Sequence, residues 1–168
     1  KNYPQQVKAA AASAINRTST MVKTEVSKTI RKNYLISAKD IKSTLSIKRA
    51  SRLKLTGMIS SIGQAPLITA FRVRTYKKGP VRVQVMKKNK PKPVSGLFIG
   101  SSLKGYVGAM QRKNLSMRYP LRIPHGPSVP QMFSAESSMS VIAPFAEKTL
   151  NQRFLHEVSY RYGKFGGR

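Results

Sequence analysis

A chain of 168 residues with 40% hydrophobic content is long enough to bury one core, and no shift in composition divides it, so a single domain over 1–168 is expected. Thirty-two Lys and Arg against five acids give a formal net charge of +27, a self-repulsion that calls for a polyanion or acidic protein surfaces nearby. Cysteine is absent and His occurs twice, which excludes disulfides and thiolate metal sites and leaves no metal and no cofactor expected.

No run of eighteen apolar residues offers a membrane span and no signal-peptide pattern precedes the first helix, so a soluble chain without membrane contact is expected. The first residue is Lys1 rather than Met, from which a trimmed N-terminus is expected. Distribution of charge says more than its sum. Asp40 and Glu136 enclose 95 residues that hold nineteen basic side chains and no acid, so the middle of the chain is expected to face the partner.

From Pro4 to about Asn33, Val7, Ala11, Ile15, Val22, Val26 and Ile30 recur at helical spacing, predicting one long amphipathic helix over 1–34. Ala9–Ala12 add propensity, and Asn33-Tyr34 is the expected stop. Ser37-Ala38-Lys39-Asp40 has the form of a capping box with Asp in place of Glu, opening a short helix from Ala38 to about Leu45. Leu45–Lys48 and Leu53–Ile59 then alternate as strands.

Phe71, Val73 and Thr75 face one way with Arg72 and Arg74 opposite, and Val81, Val83 and Val85 repeat this with Arg82 and Gln84. Lys77-Lys78-Gly79-Pro80 supplies the turn, giving a hairpin with an Arg-rich polar face. Lys87–Pro93 is the most basic run, too rich in proline for a central strand, and reads as an exposed loop. Leu97–Ile99 and Tyr106–Met110 read as two more strands within a sheet region over 45–124.

Arg118–Gln131 places four prolines and one glycine in fourteen residues without an acid, a stiff connector that cannot be helical along its length. Pro120 and Pro124 bracket an extended Leu121–Ile123, Gly126-Pro127-Ser128 reads as a turn, and Ser128 followed by Pro130 opens a helical turn through Met132 and Phe133. Helical spacing returns through Met139, Ile142, Ala146, Leu150, Phe154 and Val158, predicting a C-terminal helix over 138–162 with Pro144 in its first turn or at a kink, then a flexible tail at 163–168. The order defines an α+β fold, an antiparallel sheet covered by a long N-terminal helix and a C-terminal helix.

Catalysis finds little support. The acids Glu25, Glu136, Glu147 and Glu157 lie in or beside the predicted helices, Asp40 is assigned to a cap, and a Ser128, His125, Glu136 grouping lacks any nucleophile elbow. No P-loop, dinucleotide fingerprint or metal spacing occurs, so no enzyme is expected. Polyanion binding fits better. Arg72, Arg74, Lys77, Lys78, Arg82, Lys87, Lys88, Lys90 and Lys92 can neutralise phosphates without reading bases, and the competing reading is a basic face solvated or neutralised by acidic neighbours in an assembly.

RYPLRIPHGPSVPQM resembles the Arg-x-Pro-Ile/Leu…Gly-Pro-Ser-x-Pro signature of the tailed-bacteriophage minor tail protein Z family. Ala14-Ile15-Asn16-Arg17-Thr18, Lys48-Arg49-Ala50-Ser51, Gly96-Leu97-Phe98-Ile99-Gly100 and Leu155-His156-Glu157 match in the same order, while Met110-Gln111-Arg112 stands where the family more often has Val-Phe-x-Arg.

The resemblance implies a minor tail protein of the virion that completes the head-proximal end of the tail, for head-tail joining and placement of the genome end. Its implied partners are other tail and neck proteins, namely the tail terminator and the head-tail connector; the basic composition adds phage double-stranded DNA, met by a homo-oligomeric ring taken as sixfold from tail symmetry. Its implied location is the virion, and host cytoplasm during assembly. In that setting Arg118, Pro120, Arg122, Pro124, His125, Gly126, Pro127, Ser128 and Pro130 are the candidates for a rigid partner interface. The alternative is a free, sequence-independent nucleic-acid-binding protein, for which +27 is equally natural.

Overall fold

The computed structural model describes residues 3–77, 79–101 and 105–165. Helix α1 spans Tyr3–Asn33, α2 Ala38–Thr44, α3 Val129–Ser134 and α4 Glu136–Phe165. Among the described residues eight strands lie between them: β1 Leu45–Lys48, β2 Met58–Ser61, β3 Arg72–Arg74, β4 Arg82–Gln84, β5 Lys92–Pro93, β6 Leu97–Ser101, β7 Val107–Arg112 and β8 Leu121–Arg122. The fold is therefore α+β with long helices at both ends, and every strand pairing is antiparallel. The strands form three sheets, ordered β1-β2, β3-β4-β5 and β6-β7-β8.

The chain divides into two compact units, the first made of residues 1–29, 44–62 and 133–168 and the second of residues 30–43 and 63–132. In the first unit α1 buries Ala10, Ala14, Thr18, Val22 and Val26, a stripe at four-residue spacing. Over the first half of the helix this departs from the expected Val7, Ala11 and Ile15: Val7 is exposed, and the small residues one position away are inside instead. The reason is visible at α4, where the Arg161 guanidinium donates to the Ala9 carbonyl at 3.5 Å and to Ser13 Oγ at 3.1 Å, an approach that large side chains would obstruct. One turn away Arg17 Nε lies 3.0 Å from Glu157 Oε1, an ion pair whose N–H is not aimed as a hydrogen bond. The order of these contacts makes α1 and α4 antiparallel there.

The β1-β2 hairpin is pinned to the same helix. Asn16 donates from Nδ2 to the Ala50 carbonyl at 2.9 Å and accepts the Ala50 N–H on Oδ1 at 2.8 Å, so one side-chain amide satisfies both backbone groups of a residue in the β1-β2 connection. Lys23 Nζ donates to the Leu45 carbonyl at 2.7 Å. Gly57 packs so close to Ile15 and Ser19 that a Cβ would fall 2.6 Å from Ile15 Cγ2, which fixes glycine at the entry to β2. The strand expected from Leu53 begins only at Met58, because residues 53–56 are exposed, Leu53 fully, and have no pairing partner in the hairpin register.

In the second unit Val81, Val83, Leu97 and Ala109 form a buried cluster, with Ile68, Val73, Val85 and Val94 packed on it, so β3-β4-β5 and β6-β7-β8 share one apolar core. The last turn of α1 joins this unit through Lys87 N–H to the Asn33 carbonyl at 2.9 Å and Leu35 N–H to the Val85 carbonyl at 2.8 Å. Helix α2 starts at the expected Ser37, whose Oγ accepts the Asp40 N–H at 3.1 Å and donates to Asp40 Oδ2 at 2.7 Å, and it buries Ile41 completely.

One expectation gives way to the geometry. Lys87–Pro93 is not one open loop: it folds back so that Lys92-Pro93 pairs as the edge strand β5, the position where a strand tolerates proline. Pro144 lies inside α4, beyond its first turn. The C-terminal helix runs through Phe165, and the expected tail residues 166–168 lie outside the described residues.

Asn16→Ala is expected to lower stability by about 1–3 kcal/mol, because it strips both partners from part-buried Ala50 backbone groups. Chemical denaturation followed by far-ultraviolet circular dichroism measures it.

Candidate functional site

The second unit carries eighteen of the thirty-two basic residues and one acid, Asp40, so its surface is the electrostatic site of the chain. Its strongest arrangement is the β3-β4 hairpin, where register sets Arg72 opposite Gln84, Val73 opposite Val83 and Arg74 opposite Arg82. Val83 is buried while Arg72, Arg74 and Arg82 are exposed, so the three guanidinium groups share the outward face. Arg74 directly opposite Arg82 is a like-charge cross-strand pair, an arrangement that costs stability unless an anion sits over it. Arg82 is held with its guanidinium carbon 5.6 Å from the centre of the Tyr76 ring, a cation–π placement.

The remaining candidates do not all join that face. Lys92 pairs with Val83 and so emerges, exposed, on the opposite side of the sheet from Arg72, Arg74 and Arg82. Lys77 is exposed in the β3-β4 connection, and Lys78 lies outside the described residues. Lys87, Lys88 and Lys90 are exposed on the β4-β5 turn. That turn is fastened by Gln84 Nε2, which donates to the Asn89 carbonyl at 2.7 Å and to the Lys87 carbonyl at 3.3 Å. Among the described residues both ion pairs, Arg17 with Glu157 and Lys28 with Glu25, belong to the first unit, so the basic side chains of the second unit have no internal counter-charge.

The proline-rich connector separates into two halves. From Pro124 onward it is built into the unit: the Pro124 carbonyl accepts from Ile68 N–H at 2.9 Å, Gly126 N–H donates to Pro66 at 2.9 Å, and His125 bridges Leu67 between them. Buried Phe71 lies directly over Gly126, where a Cβ would collide with its ring. Ser128 and Gln131 cap α3 reciprocally, the Ser128 N–H donating to Gln131 Oε1 at 2.9 Å and Ser128 Oγ accepting the Gln131 N–H at 3.4 Å. Pro127 and Pro130 are half-buried beside this cap, so Ser128 is occupied as a capping residue.

Before Pro124 the connector is open. Arg118 sits exposed with its guanidinium carbon 5.9 Å from the Tyr119 ring, Pro120 follows a cis peptide bond, and Arg122 Nε donates to Gln111 Oε1 at 3.0 Å where β8 pairs with β7. An open cleft of about 560 Å3 runs along this edge, with Arg122, His125 and Gln111 over an apolar floor of Ile68, Val94 and Leu97. Sequence reading found the connector but not the floor, whose residues come from two separate stretches with no shared local pattern. Among the described residues no cluster of His, Cys, Asp and Glu has metal-binding geometry, and no helix is long and apolar enough to cross a membrane.

Long helices at both ends, small antiparallel sheets and an unpaired basic surface describe a chain whose exposed chemistry is that of docking, and residues 3–162 match the sequence profile of a family of bacteriophage tail proteins. That family is Prophage minor tail protein Z (GPZ), and the chain belongs to it. No curated protein and no solved structure matches the chain. Membership makes it a structural component of a phage tail, working among other tail proteins in the virion.

Two substitutions test the site as built. Gly126→Ala is expected to destabilise by about 1–3 kcal/mol through overpacking against Phe71, seen as a lowered denaturation midpoint. Arg82→Glu turns the like-charge pair with Arg74 into an opposite-charge pair and is expected to raise stability by roughly 0.2–1 kcal/mol, a gain that added salt erases.

Proposed function

We propose that this protein completes the head-proximal end of a phage tail, joining it to the head and fixing the position of the genome end, without performing catalysis. The observation that carries the reading is the outward face of β3-β4, where Arg72, Arg74 and Arg82 stand together and, among the described residues, form no ion pair. A surface of this kind suits the phosphates of double-stranded DNA, which it neutralises without selecting sequence. Repetition in a homo-oligomeric ring around the DNA path, sixfold like the tail, would make weak contacts collectively strong.

In the same reading the exposed half of the connector, Arg118 to Ile123 with His125, meets a neck or tail partner such as the terminator or the connector. Pro124, Gly126, Pro127, Ser128 and Pro130 hold it rigid from behind. Assembly takes place in the host cytoplasm.

A phage with an early stop codon in this gene is expected to yield complete heads and tails that remain unjoined or non-infectious under electron microscopy and plaque assay. Normal infectious particles would put the free nucleic-acid-binding reading first. For the contact itself, Arg72, Arg74 and Arg82 changed together to Gln are expected to reduce the slope of log affinity against log salt for duplex DNA by up to about three. An unchanged slope places the DNA contact elsewhere.

A further inference from the structure

Strand β2 sits in the longest uncharged run of the chain, the seventeen residues from Leu55 to Phe71. The ladder fixes which way its backbone points. Ile62 N–H donates to the Thr44 carbonyl at 2.9 Å, so by alternation Ser46 with Ser60 and Lys48 with Met58 are the hydrogen-bonded pairs. Ile59 and Ser61 therefore direct their N–H and C=O groups away from β1, and among the described residues these four groups have no hydrogen-bond partner. On the far side of the hairpin the corresponding groups of β1 are partly satisfied, since the Leu45 carbonyl takes Lys23 Nζ.

An open strand edge is ordinarily guarded by charge or proline, and β5, with Lys92 and Pro93, is guarded by both. β2 has neither. Its flanks are apolar instead: Met58 is 56% and Ile62 78% exposed, both on the face of Ser60 by the period of the strand.

We propose that β2 pairs antiparallel with the β2 of a second copy of this chain, about a two-fold axis through Ser60, to make a continuous β1-β2-β2-β1 sheet. Three features select that occupant and that register. Centring on Ser60 sets Ile59 against Ser61 of the other copy, so the outward groups of both strands form four backbone hydrogen bonds. The same register sets Met58 beside Ile62 of the other copy, twice, covering two large side chains that otherwise face water. An acidic partner would seek the basic surfaces, whereas a copy that also carries +27 can approach closely only where charge is absent. The pairing belongs to the isolated chain and does not depend on the function proposed above.

Light scattering on the purified full chain is expected to give twice the single-chain mass of 18.7 kDa, with the dimer favoured by added salt as repulsion is screened, the reverse of DNA binding. Because the chain lacks cysteine, Ser60→Cys introduces a single thiol, in exchange for the exposed Ser60 hydroxyl contact with Ser46 Oγ at 2.7 Å. Residues facing each other on the axis form a non-hydrogen-bonded pair with Cα atoms about 4.5 Å apart, within disulfide reach, so this variant should oxidise to a covalent dimer while Met58→Cys should not. Ser61→Pro removes an outward N–H together with the Ser61 Oγ contact to Thr44 Oγ1 at 3.3 Å, leaves the β1-β2 ladder bonds in place and should give a folded monomer, and Ile62→Lys should weaken association at least about tenfold. A chain that stays monomeric at high salt overturns the proposal. So does a dimer that Ser60→Cys fails to cross-link, or one that persists unchanged in Ile62→Lys.

Discussion

A chain that carries +27 has almost nothing of opposite sign with which to hold itself together, and its structure is organised by that constraint. The two ion pairs among the described residues lie in the first unit, and there the buried carboxylate of Glu157 meets Arg17 on the antiparallel face of α1 and α4. The second unit relies on a valine-rich cluster and on backbone hydrogen bonds. Its edges are closed by direct chain-to-chain contacts: Leu35 with Val85, Lys87 with Asn33, and the connector with Pro66–Ile68. Hydrophobic burial and neutral hydrogen bonds vary little with ionic strength, so they oppose the surface repulsion without adding to its salt dependence.

Several of the residues that carry the family resemblance make contacts of this kind. Asn16 lies in the first matching stretch and Ala50 in the second, and the amide of one satisfies the backbone of the other. Arg17 and Glu157 join the first stretch to the last. Gly126 of the proline-rich signature lies under Phe71, and Ser128 of the same signature caps α3. These matched residues hold distant segments of each unit in register.

Much of the fold was legible in the sequence because its signals are local. Helix periodicity located α1 and α4, Ser37 announced α2, alternation marked the Arg face of the hairpin, and Ser128 with Pro130 marked α3. What escaped was set by partners far along the chain. The buried stripe of α1 passes through Ala10, Ala14 and Thr18 because Arg161 and its helix come close there, a fact that hydrophobicity alone cannot supply. Likewise Lys92 looked like one more lysine of a basic run until β5 pairing turned it to the other side of the sheet. In the candidate interface the prolines were readable as stiffness, but the division into an anchored half and an exposed half depends on Pro66–Ile68, nearly sixty residues upstream.

The fastening of the β4-β5 turn by Gln84 bears on how the protein survives in a cell. Lys87, Lys88 and Lys90 offer a trypsin-like protease its preferred residues at an exposed loop tip, where chains are most readily nicked. Cleavage requires the segment to open and extend, and here opening breaks the Gln84 bonds to Lys87 and Asn89, the Lys87 bond to Asn33 and the β5 pairing together. Opening of the most basic stretch of the chain is thus opposed by Gln84 acting together with the Asn33 carbonyl and the β5 ladder.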